Sequence, residues 1–139
     1  MKNQNPLTKI IQALAAVIAI TVSPPARAED SLVAFGDFNH DGLIDVAAVT
    51  SPTTITVSLA NPNGSYTVAA ILSAAKNQKI TYIGVDDLDG DGDLDVYANC
   101  PAGGGWVYTH LWLGNGNGTF GARTSNKWIW PPKGHYGSW

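Results

Sequence analysis

Cysteine is nearly absent from this 139-residue chain. Cys100 stands alone, so neither an internal disulfide framework nor a Cys-based zinc site is available. Charge is scarce as well, at 14% of residues, and the basic side is the poorer: eight Lys and Arg face eleven Asp and Glu. No basic stripe exists to cover phosphates, which argues against nucleic acid as a partner. No apolar run reaches the roughly 18 to 20 residues of a membrane span. Histidine occurs at positions 40, 110 and 135 only. No Ser-His-Asp or Cys-His set follows from that spacing, so the chain does not read as an enzyme. What remains, 45% apolar residues over a single-domain length, is enough for a packed core and argues against disorder.

The N-terminus reads as a leader rather than as part of the fold. Lys2 and Lys9 form a basic start, Ile10 to Val22 is mostly apolar, Pro24 and Pro25 break it, and Ala26-Arg27-Ala28 supplies a small-x-small cleavage pattern. Residues 1–28 are therefore expected to be a signal peptide of a secreted, extracellular or periplasmic protein. Removing them leaves five basic residues against the same eleven acids, a formal charge of −6.

Nine of those acids crowd into two windows, Asp37 to Asp45 and Asp86 to Asp95. The windows are copies. Asp37-Phe38-Asn39-His40-Asp41-Gly42-Leu43-Ile44-Asp45-Val46 aligns without a gap on Asp87-Leu88-Asp89-Gly90-Asp91-Gly92-Asp93-Leu94-Asp95-Val96 at an offset of 50. Further on, Leu59-Ala60-Asn61-Pro62-Asn63-Gly64-Ser65-Tyr66 aligns on Leu113-Gly114-Asn115-Gly116-Asn117-Gly118-Thr119-Phe120 at an offset of 54. Four residues entered the second copy between loop and turn, most simply in Pro101-Ala102-Gly103-Gly104-Gly105. A period near 50 residues with strand-like content points to a propeller or another repeat array.

Strands are expected at 31–35 and 80–85 before the loops, and at 46–50 and 96–99 after them. Residues 54–59 and 106–113 alternate polar and apolar side chains, the period of a half-buried strand. Asn63-Gly64 and Asn117-Gly118 are turn dipeptides, and a fourth strand is expected from Tyr66 and from Phe120. The segment 69–75 tempts a helical reading and is taken as a strand end and linker. Four short strands per repeat make an all-β chain of two four-stranded, propeller-like blades. The repeats are placed at 29–79 and 80–126, with a Trp- and Pro-rich tail at 127–139.

The loops carry the chemistry. Acidic or amide side chains at positions 1, 3, 5 and 9 of a tight loop, with Gly at position 6, gather oxygens around one point and let position 7 offer its carbonyl. Hard oxygen donors without His or Cys at the ligand spacings select Ca²⁺. Mg²⁺ prefers to keep its waters and fits such a cage less well. The first site is expected to use Asp37, Asn39, Asp41 and Asp45 with the Leu43 carbonyl. The second is expected to use Asp87, Asp89, Asp91 and Asp95 with the Asp93 carbonyl. A helical EF-hand is disfavoured because its twelfth position, which needs a carboxylate, holds Ala48 and Ala98.

Asp-x-Asn-x-Asp-Gly-x-x-Asp entering a strand, followed by Gly-Asn-Gly-Asn-Gly-Thr-Phe, resembles the FG-GAP or VCBS-type repeat of integrin α-chain propellers and many secreted bacterial proteins. The resemblance covers about 31–123. It implies four-stranded blades with Ca²⁺ held between the first two strands of each. It departs from the family in lacking Gly-Ala-Pro and in having two blades where propellers need about four to eight. A binding or adhesion role is implied, or else that of a structural piece of a larger array.

All five Trp lie within the last 34 residues. On the alternating strand of the second copy, Tyr108, His110 and Trp112 replace Thr54, Thr56 and Ser58 of the first. These rings are expected either to pack under the tail or another subunit, or to form a sugar-stacking surface. A glycan or cell-surface ligand, and a second copy that completes a ring, are the partners this reading suggests. Ile55, Val57 and Leu59 are expected on one outer face and the three rings on another.

Overall fold

The computed structural model describes residues 31–129. The expected signal peptide at 1–28 and the tail beyond Ile129 lie outside them. Eight strands follow in order: β1 (Val33–Gly36), β2 (Asp45–Ser51), β3 (Thr54–Ala60), β4 (Tyr66–Ser73), β5 (Tyr82–Asp86), β6 (Asp95–Pro101), β7 (Trp106–Trp112) and β8 (Thr124–Ile129). They form two antiparallel four-stranded sheets, each a meander with its strands in sequence order. The stretch 69–75 is strand and linker, and no helix occurs among the described residues.

The repeat is preserved in the pairing. Ala47 faces Val57 across β2 and β3, and Tyr97 faces Leu111 across β6 and β7. Val57 faces Ala70 and Leu111 faces Thr124, which carries the offset of 54 into the fourth strands. The extra residues of the second copy lengthen a hairpin: Pro52 and Thr53 connect β2 to β3, whereas residues 102–105 connect β6 to β7. Gly103, Gly104 and Gly105 take positive φ there, a conformation that costs a side-chain-bearing residue about 1–2 kcal/mol. The fourth strand of the second sheet starts at Thr124 rather than Phe120. Phe120 makes only an isolated bridge to Gly114, and pairing resumes after Gly121-Ala122-Arg123. In the first sheet a register shift at Val57/Ser58 keeps the ladder continuous.

One core joins the sheets. From the first come Ala47, Ile55, Val57 and Leu72; from the second, Ile83, Val96, Ala98, Cys100 and Trp112. Ile55 and Val57 are fully buried, and His110 and Trp112 retain 1% and 3% exposure. The residues expected on two outer faces therefore face each other. By the repeat alignment, Val57 corresponds to Leu111, which points to the opposite side of β7 from Trp112, so the front of one sheet lies on the back of the next. The first strands approach each other most closely, and Ile83 N–H donates to the Ser31 carbonyl at 2.8 Å. The outer face of the first sheet carries Phe35, Val68 and Ile71, which are 40%, 56% and 65% exposed, in register with Val46, Ser58 and Thr56.

Candidate metal centre

Each acidic loop joins the first two strands of its sheet, and the two fold alike. At position 1, Asp37 accepts from the backbone N–H of Asp41 at 3.1 Å and of Gly42 at 2.8 Å. Asp87 accepts from Gly90, Asp91 and Gly92 at 2.8, 3.1 and 2.9 Å. At position 3, Asn39 Oδ1 and Asp89 Oδ1 accept from Asp41 and Asp91 N–H at 3.3 and 3.2 Å. At position 5, Asp41 and Asp91 accept from the N–H groups of Leu43 and Asp93 at 2.8 and 2.9 Å. Positions 4 and 6 have positive φ in both copies: 58° at His40, 81° at Gly42, 77° at Gly90 and 92° at Gly92. The side chains curl the backbone around themselves.

Position 9 ties the loop to the sheet. Asp45 accepts from Phe38 and Ala60 N–H, both at 2.8 Å. Asp95 accepts from Leu88 and Gly114 N–H, also both at 2.8 Å. Both carboxylates are fully buried. Burial pushes the Asp45 carboxyl above its ordinary range, and the two N–H donors pull it partly back. The ends of the third strands are thus part of each loop's support, a role that reading the loops alone missed.

In the second loop, carboxylate oxygens of Asp87, Asp89 and Asp95 lie within 4.8 Å of one another. Asp91 is not in that group. Desolvation pushes the Asp89 carboxyl up, helped by the Asp91 carboxyl and the Asp95 charge and opposed by the hydrogen bond from Asp91 N–H. Among the described residues, the ion pair reaching these loops is His40 with Asp93, and no Lys or Arg pairs with a loop carboxylate. The donor set is all oxygen, concentrated and without a Lys or Arg countercharge among the described residues, which fits a hard divalent cation. The same positions in the first loop, with Asn39 in place of Asp89, offer one carboxylate fewer.

The loops are not independent. His40 Nε2 donates to Asp93 Oδ1 at 2.7 Å, although the fourth position of a surface loop would be expected to point to water. The hydrogen bond to Asp93, ahead of the nearby negative charges, raises the His40 pKa. Gly118 N–H donates to the Phe38 carbonyl at 3.0 Å, and the Phe38 and Phe120 rings meet edge-on at 5.7 Å. The second copy's turn thereby rests on the first copy's loop.

The rings offered as a stacking surface are corrected by their position. His110 and Trp112 are buried, Trp112 in the core shared with the first sheet, and Tyr108 is partly buried beside them. His110 Nδ1 meets Ser125 Oγ at 2.7 Å and its Nε2 meets Gln78 Oε1 at 2.5 Å. No sugar can lie on His110 or Trp112 so covered. Cys100 is also interior, and burial pushes its thiol up to about 11, which removes it as a nucleophile at neutral pH.

No curated protein and no solved structure matches the chain. A family model described as the FG-GAP-like repeat matches residues 37–98. That segment runs from Asp37 at the start of the first loop to β6, which leaves the second, and it carries FG-GAP-like repeat sequence.

Proposed function

We propose that this chain is a secreted, Ca²⁺-binding repeat module that serves binding or adhesion rather than catalysis. The observation that carries the reading is the doubled loop, in which the side chains at positions 1, 3, 5 and 9 accept from equivalent backbone N–H groups in both copies, Gly90 adding one more at Asp87. Asp37, Asn39, Asp41, Asp45 and the Leu43 carbonyl would hold one ion. Asp87, Asp89, Asp91, Asp95 and the Asp93 carbonyl would hold the other. The cation's contribution is electrostatic: it neutralises carboxylates that otherwise repel and fastens each loop to the strands on either side.

Melting curves in chelator and in excess Ca²⁺ test this. A ligand bound only by the folded state adds about 2.7 kcal/mol at one hundred times its dissociation constant, so the melting temperature should rise. Superimposed curves would remove the metal from the account.

A second reading rests on the outer face of the first sheet. Phe35, Val68 and Ile71 are exposed together there, as on a blade awaiting its neighbour. On that reading the chain is a building block of a larger array or ring.

A further inference from the structure

Resting on the Ca²⁺ reading, we propose that His40 is a positioning residue that couples the two loops, so that filling the first raises the affinity of the second. The argument starts from where the copies differ. At position 4 the second loop has Gly90, and the first has His40 in the same positive-φ conformation. A side chain there is disfavoured, because its β-carbon crowds the following carbonyl. At position 7 the first loop has Leu43, and the second has Asp93. These two exchanges, 53 residues apart, meet in space through the 2.7 Å hydrogen bond.

Asp93 is held on its other side as well. A β-carbon at Gly116 would lie 2.5 Å from Asp93 Oδ1, so a residue with a side chain could not sit there without moving the carboxylate. Asp93 N–H in turn donates to Asp91 Oδ1 at 2.9 Å. The residue whose carbonyl is a candidate ligand is therefore oriented by His40 and linked to the position 5 carboxylate. A cation in the first loop fixes positions 3 and 5 on either side of His40. That ordering is passed to Asp93 without cost to the second ion. The coupling is reciprocal, as linkage requires.

Calorimetric Ca²⁺ titration of four proteins at one pH decides it: the parent, Asp41→Ala, His40→Gly and the double variant. Gly is tolerated at position 4, as Gly90 shows, so His40→Gly keeps the loop conformation. Asp41→Ala disables the first loop and should weaken the remaining site about five- to tenfold, within the usual range of coupling. In the His40→Gly background the same change should leave the second site unaltered. An equal weakening with and without His40, or none in either, overturns the coupling while leaving the Ca²⁺ sites standing. A parent that binds no Ca²⁺ overturns the Ca²⁺ reading itself and the coupling with it.

Discussion

Gly118 offers a direct test of how the second repeat seats on the first. Its φ is +84°, and a β-carbon there would meet Leu59 Cδ1 at 2.8 Å, Leu59 Cδ2 at 3.3 Å and Ala69 Cβ at 3.4 Å. Gly118→Ala therefore carries two costs. The left-handed backbone disfavours Ala by about 1–2 kcal/mol. Overpacking against the first sheet adds about 1–2 kcal/mol, toward the low end for cores because Leu59 presents the flexible end of its side chain. Gly103→Ala serves as the reference: its φ is +73° and a β-carbon there would meet nothing within 4 Å, so only the backbone cost applies. Urea denaturation should place Gly118→Ala about 1–2 kcal/mol below Gly103→Ala. Shortening the obstacle with Leu59→Ala should recover part of that difference, and a double-mutant cycle reads it as a favourable coupling. Equal losses in the two glycine variants, with no coupling to Leu59, would refute the docking of the second turn on the first sheet.

The remaining predictions concern protonation and assembly. Burial, followed by the Arg123 charge, lowers the His110 pKa from 6.5; the unfolded chain then binds a proton that the folded one refuses, so stability is full above about pH 6.5 and falls as pH drops below it. His110→Gln should flatten the stability profile between pH 6.5 and 5, and an unchanged slope would assign acid lability elsewhere. If the outer face of the first sheet is an interface, light scattering in Ca²⁺ shows a mass above one chain, and Ile71→Lys returns it to a single chain. A monodisperse single chain for the parent refutes that assembly.

Much of this was legible because the chain says it twice. The offsets of 50 and 54 located loops, turns and the lengthened hairpin, and the strand pairs Ala47–Val57 and Tyr97–Leu111 repeat them. The loop contacts were legible for the same reason, since Asp at position 1 and Gly at position 6 allow few other conformations. The contacts at position 9 were not, because Ala60 and Gly114 receive them as backbone donors, and a backbone N–H carries no residue-specific signal. The bond between His40 and Asp93 was hidden for another reason. It joins two positions at which the copies disagree, and an alignment discards disagreement as drift.

The two faces expected on the outside lie inside, facing each other. Period-two alternation separates the two sides of a strand but does not say which is covered. Had the sheets met face to face, aligned positions would be buried in both copies, and Ile55 and Val57 would share the core with Thr109 and Leu111. Front-to-back stacking instead buries opposite sides of aligned strands, which is why hydroxyls at Thr54, Thr56 and Ser58 became Tyr108, His110 and Trp112. The outward side of the second sheet changed in the opposite sense, from Val49 and Ile55 to Asn99 and Thr109. There Trp128 Nε1 donates to Thr109 Oγ1 at 2.6 Å, and Thr109 Oγ1 donates to Asn99 Oδ1 at 2.7 Å. One outer face is thus finished with hydrogen-bonded polar groups, whereas the other keeps Phe35, Val68 and Ile71 exposed. Association, if it occurs, should engage the first sheet.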